Sequence, residues 1–301
     1  MTNKTQAWLH AFRLRTLPLA LSSIIMASML AVAVHSFSWS ITLLASFTTL
    51  LLQILSNLSN DYGDAESGID NDERVGPVRA IQSGSITADE MKQMMVIFAT
   101  LALISGLLLV YRGTQHLEMS YGLIFIMLGV AAITAAIKYT VGKNPYGYRG
   151  LGDFYVFVFF GIIGTLGTYF LQTSTLPSSI LFPAVSVGLL SVGVLNVNNM
   201  RDIINDENSG KRTIVVMLGS HVAKIYHLLL IGVAFLSALI YVVINYSSVY
   251  NFLFLIAFIP MAFHSRRIWV NNKPALLDPE LKILALCTLL FSVLLGLGFI
   301  L

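Results

Sequence analysis

The stretch NDYGD at residues 60–64 closes the long apolar run 39–60 and sets carboxylates at the end of a hydrophobic segment. A second acidic stretch, DIIND at residues 202–206, follows the apolar run 179–200 in the same way. Carboxylates at the boundary of a membrane-embedded bundle are costly unless something compensates them, and a divalent cation can do so. The two stretches therefore predict a functional site.

The composition around these clusters is that of a membrane protein. Hydrophobic residues make up 56% of the chain, charged residues make up 11%, and the mean hydropathy is +0.78. A helix of about 20 apolar residues crosses about 30 Å of hydrocarbon. Runs of this kind lie at 17–35, 39–60, 93–111, 119–138, 153–172, 179–200, 222–245, 249–264 and 283–301. The sequence therefore predicts an all-α integral membrane protein, with nine transmembrane helices around a central cavity and a single domain over 1–301.

The distribution of charge predicts how the chain is oriented. The lysines and arginines lie before the first run or in alternate loops, and only Arg112 lies on the other side. Of the acidic residues, only Glu118 falls on that other side. By the positive-inside rule, the N-terminus and the acidic clusters face the cytoplasm. We therefore expect the active site on the cytoplasmic face of the inner (cytoplasmic) membrane.

Other kinds of site receive little support from the composition. Cys287 is the single cysteine and the histidines show no paired ligand spacing, so a thiolate metal site, zinc or haem is not expected. A net charge of +3 suits contact with the lipid of the cytoplasmic leaflet but is too small to indicate nucleic acid.

The spacing of the acidic clusters indicates a magnesium site. Asn60 and Asp64 are four residues apart, so on a helix their oxygens share a face. Asn198, Asp202 and Asp206 repeat this spacing. Two facing rows of oxygens suit one or two Mg²⁺ ions, which also bind phosphate oxygens, so a diphosphate is the implied ligand. The alternative is that both clusters are ordinary polar helix ends, but their equivalent positions favour a site.

Cations beside the clusters admit two interpretations. They are either salt bridges on a solvated face or a clamp in which guanidinium and ammonium groups bind a diphosphate. The residues concerned are Arg74, Arg79, Lys211 and Arg212. In the Gly/Pro/Tyr-rich turn 139–153, the tyrosines suit an interfacial aromatic belt and Lys143 would reach a phosphate. A cation-coupled secondary transporter is a further alternative, but it predicts acids near mid-span, whereas these lie at helix ends.

Taken together, the motifs resemble the UbiA-type intramembrane aromatic prenyltransferase superfamily. The similar elements are its Asn-Asp-x-x-Asp signature at 60–64, its Asp-x-x-x-Asp signature at 202–206 and its Tyr-x-x-x-Lys element at 139–143. The third acid of the first signature would fall at Gly68, whereas Asp70 stands two residues later. The sequence is most similar to that of the MenA-type branch, the 1,4-dihydroxy-2-naphthoate polyprenyltransferases, at residues 15–18, 60–64, 74–79, 145–153, 198–202 and 210–213.

The resemblance implies a UbiA-type fold and a Mg²⁺-dependent reaction. A polyprenyl group would pass from polyprenyl diphosphate to 1,4-dihydroxy-2-naphthoate with decarboxylation, giving a demethylmenaquinol. Other aromatic acceptors, such as 4-hydroxybenzoate or homogentisate, remain alternatives. Aromatic side chains, for example Tyr62, Phe154 and Phe157, would shield the allylic cation.

The resemblance also implies roles for individual residues. The catalytic candidates are Asp61, Asp64, Asp202, Asp206, Lys143 and Tyr139. The substrate-binding candidates are Arg74, Arg79, Asn198, Arg201, Lys211, Arg212, Arg149 and Arg15. The Mg²⁺ ligands would be Asn60, Asp64, Asp202 and Asp206. Arg13 or Arg15 would bind the acceptor's carboxylate, although plain positive-inside anchoring explains both equally well.

Overall fold

A computed structural model of the chain describes residues 4–69, 75 and 78–301. Within these ranges the regular structure is helical, and nine stretches are long and apolar enough to cross a membrane. The predicted number and order of crossings are thereby confirmed, and the chain is an integral membrane protein. The α-helices are α1 (Lys4–Phe12), α2 (Leu17–Ala33), α3 (Trp39–Glu66), α4 (Ala88–Thr114), α5 (Met119–Lys138), α6 (Gly152–Val156), α7 (Thr168–Thr173), α8 (Leu181–Arg201), α9 (Ile203–Asn208), α10 (Ile214–Ile244), α11 (Leu255–Val270) and α12 (Asp278–Ile300).

Helix α3 extends past the apolar run and carries the whole NDYGD stretch on its last turns. It ends at Glu66, and Gly68 follows in the left-handed conformation at φ 71°. Gly63 lies inside this helix, and its lack of a side chain permits a close contact with the turn after α5. The first acidic cluster is therefore held on a regular helix.

The fifth crossing is not a continuous α-helix. Helices α6 and α7 are joined by a π-helical segment, Phe157–Gly167. A Cβ on Gly161 would lie 2.5 Å from the Cα of Gly188, so the segment packs closely against α8. π-Helical turns are rare and often occur at functional sites, and this segment turns several side chains towards the central cavity.

The second acidic cluster lies where α8 ends. Asp202 has φ −98° and ψ 10°, which breaks the helical path between α8 and α9. Helix α8 is largely buried and packs against α10, α12 and the π-helical segment. One apolar core joins α2, α8, α10, α11 and α12, and a second, smaller one joins α1, α3 and α4. The first acidic cluster therefore lies on a helix of the smaller core and the second on a helix of the larger core, and both clusters border the cavity.

Candidate functional site

A cavity of about 400 Å³ is bordered by both acidic clusters. Its polar end is lined by Arg13, Arg15, Asn60, Asp64, Arg79, Asn198, Asp202, Asn205, Asp206 and Lys211. Its other end is lined by apolar side chains of α3, α4, α5 and the π-helical segment, among them Leu107, Ile126 and Phe160. The cavity thus joins a charged head region to a long apolar region, which suits an amphiphilic ligand with an anionic head.

Asp61 holds two arginines. Its side chain is 1% exposed, and its Oδ1 accepts hydrogen bonds from Arg13 Nη2 at 2.6 Å and from Arg79 Nη1. Both arginines line the cavity, whereas Asp61 lies behind the lining. The Asp61 carboxylate therefore anchors the two arginines. It does not face the cavity, whereas a catalytic group in contact with the substrate would have to do so.

Asp64 and Asn60 face the cavity from the same side of α3. Asp64 Oδ1 accepts a hydrogen bond of 2.7 Å from the Tyr148 hydroxyl, and its Oδ2 lies 3.4 Å from Arg79 Nη2. Asn60 Oδ1 accepts from Thr140 Oγ1 at 3.3 Å. The turn that follows α5 therefore orients the Asp64 carboxylate and the Asn60 amide oxygen.

Asp202 is bound at both oxygens by the neighbouring guanidinium. Arg201 donates from Nε to Oδ1 at 2.9 Å and from Nη2 to Oδ2 at 2.6 Å. The same guanidinium also binds Asn198 Oδ1 at 3.0 Å and Asp278 Oδ1 at 2.6 Å. Arg201 is 2% exposed and lies behind the cavity lining, so it organises the second cluster from the protein interior.

Asp206 keeps one oxygen available. Its Oδ1 lies 3.3 Å from Lys211 Nζ, while its buried Oδ2 has no hydrogen-bond partner among the described residues. Burial raises the pKa of Asp206 to about 6, although Lys211 opposes this shift. Burial lowers the pKa of Lys211, but the charges of Asp206, Asp64 and Asp202 outweigh it and raise that pKa overall. The carboxylates of both clusters therefore act on one ammonium group.

A row of aromatic rings leads from the polar end into the cavity. Tyr139 packs edge-on to Tyr146 with ring centroids 5.3 Å apart, and Tyr146 stacks on Tyr155 at 3.9 Å. Tyr155 stacks in turn on Phe159 at 6.2 Å. All of these rings line the cavity. The sequence reasoning missed Tyr155 and Phe159, whose spacing of four residues was the available signal.

Several predicted groups lie elsewhere. Lys143, Arg149 and Arg212 are exposed and lie outside the cavity lining, so the structure does not bring these cations to the cavity. The aromatic examples also differ: Phe154 is 61% exposed, and neither Tyr62 nor Phe157 lines the cavity. Arg74 and Asp70 lie outside the described residues.

Arg15 stands at the cavity lining, where its Nη1 lies 3.2 Å from Asp278 Oδ2. Asp278 was not singled out in the sequence, because nothing near it in the chain resembles a motif. Tyr148 and Asn205 lie inside the stretches 145–153 and 202–206 that the sequence marks, but neither residue was assigned a role.

The oxygen atoms of the two clusters are of the chemical type that binds a magnesium ion. Carboxylate and amide oxygens are the ligands that Mg²⁺ prefers, and the unpartnered Oδ2 of Asp206 offers one such oxygen directly. Among the described residues, no three His, Cys, Asp or Glu side chains are already grouped as a metal site. The carboxylates are paired with cations instead, so a metal would share their charge with these cations.

Known proteins match the chain over most of its length. The model of the UbiA prenyltransferase family matches residues 20–279. The chain is 42% identical over 300 residues to a 1,4-dihydroxy-2-naphthoate octaprenyltransferase of Haemophilus influenzae, with 99% of this chain and 97% of that protein covered. It is also 42% identical over 296 residues to the Escherichia coli enzyme of that name, with 98% and 96% covered.

Two solved structures share the fold. A UbiA homologue from Aeropyrum pernix K1 superposes with a TM-score of 0.68 at 15% identity, covering 93% of this chain and 96% of that one. A UbiA homologue from Archaeoglobus fulgidus bound to GPP and Mg²⁺ gives 0.56 at 14% identity, covering 95% and 99%. At these identities the likeness establishes the architecture.

Proposed function

The chain belongs to the UbiA prenyltransferase family, and we propose that it transfers a polyprenyl group from polyprenyl diphosphate to 1,4-dihydroxy-2-naphthoate. The acceptor loses CO₂ and the product is a demethylmenaquinol, a step of menaquinone biosynthesis. The observation that carries this function is a cavity whose charged end holds both acidic clusters and whose other end is apolar. The two relatives at 42% identity carry the name of this activity.

Magnesium is the proposed cofactor, and Asn60, Asp64, Asp202 and Asp206 would hold it. When bound, Mg²⁺ supplies positive charge to the diphosphate as the allylic C–O bond breaks. The buried and unpartnered Oδ2 of Asp206 supports this proposal, because a buried carboxylate oxygen without a partner is unfavourable.

The cations at the polar end bind the diphosphate of the donor. Arg13, Arg79 and Lys211 line the cavity and are the groups that meet phosphate oxygens there. Arginine forks bind such oxygens in pairs, and the fixed positive charge favours the departing diphosphate over the intact donor. Asp61 acts through Arg13 and Arg79 as a positioning residue.

The aromatic row protects the allylic cation. The faces of Tyr146, Tyr155 and Phe159 offer negative ring density along the cavity wall. The apolar lining beyond them excludes water, which would otherwise capture the cation as an alcohol. The ring carbon of the acceptor that bears the carboxylate forms the new bond. Its bond to the carboxylate carbon then breaks, and that electron pair restores the aromatic ring as CO₂ leaves.

Arg15 is the proposed partner of the acceptor's carboxylate. It lies at the cavity lining, and its side chain is 37% exposed, so an anionic acceptor entering from solvent can reach it. The basic loops support an orientation with the N-terminus in the cytoplasm and the active site on the cytoplasmic face of the inner membrane. A single domain, residues 1–301, carries all of these parts.

An acceptor panel tests this function. Purified protein is incubated with one labelled polyprenyl diphosphate and either dihydroxynaphthoate, 4-hydroxybenzoate or homogentisate, with and without EDTA. We expect prenylated and decarboxylated product from dihydroxynaphthoate alone, and none with EDTA. Preference for another acceptor would refute the branch but not the family.

Replacing Asp64 or Asp206 by Asn tests the metal set in the same assay. Loss of a metal ligand should lower the rate by at least about a hundredfold, because charge stabilisation in the transition state is lost. Glu66→Gln is the matched control, since Glu66 lies on the same helix but is exposed and outside the cavity lining.

A further inference from the structure

A metal ion at Asp202 would compete with Arg201 for the charge of the carboxylate, because Arg201 already occupies one lone pair on each oxygen. Arg201 occupies Oδ1 through Nε at 2.9 Å and Oδ2 through Nη2 at 2.6 Å. Both side chains are buried, with Arg201 2% and Asp202 6% exposed. If Asp202 ligates Mg²⁺, its hold on Arg201 must weaken.

A buried guanidinium that loses its anion is strongly destabilising, because its charge is then neither solvated nor paired. In this protein Arg201 has a second anion within reach. Its Nη1 donates to Asp278 Oδ1 at 2.6 Å. Asp278 lies at the start of α12, 77 residues further along the chain, and its side chain is 36% exposed. Arg201 is thus compensated from two sides, one inside the metal cluster and one outside it.

We propose that Asp278 is a positioning residue for metal binding: it keeps the buried Arg201 charge-compensated and so frees Asp202 to ligate Mg²⁺. This inference rests on the proposed function, because it requires Asp202 to be a metal ligand. Asp278 itself lies outside the cavity lining. Its effect reaches the metal through one guanidinium.

The other oxygen of Asp278 contacts a different part of the site. Oδ2 lies 3.2 Å from Arg15 Nη1, and Arg15 is the proposed partner of the acceptor. The two carboxylate oxygens of Asp278 therefore have different effects on the site. The contact through Oδ1 governs metal affinity, whereas the contact through Oδ2 governs only how Arg15 is held.

Direct metal binding tests the proposal. Purified protein in detergent is titrated with Mn²⁺, followed by electron paramagnetic resonance, in the presence of a non-reactive prenyl thiolodiphosphate. In Asp278→Asn we expect the dissociation constant for Mn²⁺ to rise about tenfold, since Asp202, with its charge drawn towards the metal, then has to compensate Arg201 alone. Asp278→Glu keeps the charge and should stay within about threefold of the unmodified protein.

Three further variants separate this role from a merely structural one. Asp89→Asn makes the same change at an exposed position on α4 and should leave Mn²⁺ affinity unchanged. Arg15→Gln removes the other partner of Asp278 and should also leave it unchanged. In Arg201→Gln no buried guanidinium needs compensation, so adding Asp278→Asn to that variant should not lower its Mn²⁺ affinity further.

The outcomes are distinct. Equal Mn²⁺ affinity in Asp278→Asn and the unmodified protein would overturn the inference while leaving the proposed function intact. If Asp278→Asn alone does not fold, the Arg201→Gln background decides, because a further loss of Mn²⁺ affinity on adding Asp278→Asn there would overturn the inference as well. If the unmodified protein binds no Mn²⁺ and EDTA leaves prenyl transfer unchanged, the metal-dependent function itself fails.

Discussion

Gly63 and Thr140 are in such close contact that a Cβ on Gly63 would lie 2.5 Å from the Thr140 backbone oxygen. This approach seats the last turns of α3 directly on the turn that follows α5. It lets Thr140 Oγ1 donate to the Ser59 backbone oxygen at 2.7 Å and to Asn60 Oδ1 at 3.3 Å. The glycine inside the acidic stretch is therefore a packing requirement that aligns a proposed metal ligand.

Replacing Gly63 by Ala should destabilise the protein and reduce activity. The added methyl group meets backbone atoms that cannot rotate away, and overpacking of this kind costs about 1–3 kcal/mol. We expect a lower thermal unfolding midpoint in detergent and a higher half-saturating Mg²⁺ concentration for prenyl transfer. Gly232→Ala is the control, because Gly232 lies in α10 with nothing within 4 Å of its added Cβ, so that variant should be at least as stable as the original. Equal stability of the two variants would contradict the packing argument.

The hydropathy of the chain predicts the crossings well because the bilayer imposes it. Each run of about 20 apolar residues has only one stable arrangement across hydrocarbon, which is a helix. The π-helical segment was not predictable in this way. It packs closely against the next crossing through Gly161 and Gly188, and hydropathy along the chain does not mark a contact between two crossings.

The site was predictable where a motif was short and helical, and unpredictable where partners were distant. The carboxylates of 60–64 and 202–206 were found because each cluster is local. The Arg201–Asp278 contact joins residues 77 apart, and no local pattern marks it. Lys143 lies outside the cavity lining for another reason: α5 ends at Lys138, so the four-residue spacing from Tyr139 no longer places Lys143 on the same helical face.

Replacing Asp61 by Asn should weaken binding of the polyprenyl diphosphate without changing the need for metal. Asp61 anchors Arg13 and Arg79, and without its charge these guanidinium groups lose their fixed positions. We expect KM for the donor to rise about tenfold, a loss of about 1.4 kcal/mol of binding, while the half-saturating Mg²⁺ concentration stays constant. Asp64→Asn should instead shift the Mg²⁺ titration. If both variants shift it equally, Asp61 is a ligand and its positioning role is wrong.

Replacing Tyr155 by Leu should let water capture more of the allylic cation. Tyr155 stacks between Tyr146 and Phe159 on the cavity wall, and cation–π contacts with such rings are worth about 1–2 kcal/mol. The ratio of prenylated acceptor to free prenyl alcohol should therefore fall by about five- to thirtyfold. Phe154→Leu is the control, because Phe154 is the adjacent ring in the chain but is 61% exposed. An unchanged ratio in Tyr155→Leu would show that the ring does not shield the cation.

Low pH should weaken the binding of Mg²⁺ through Asp206. Burial raises the pKa of this carboxyl group to about 6, so it is ionised above that pH and increasingly protonated below it. A protonated carboxyl group is a poor metal ligand, and a proton and Mg²⁺ therefore compete for the same oxygens. As the pH falls below about 6, the half-saturating Mg²⁺ concentration should rise, by at most about tenfold per pH unit for one proton. Added Mg²⁺ should restore the rate at pH 5.5, measured as labelled prenyl transfer. A rate loss that excess Mg²⁺ cannot reverse would assign the acidic limb of the pH profile to some other group.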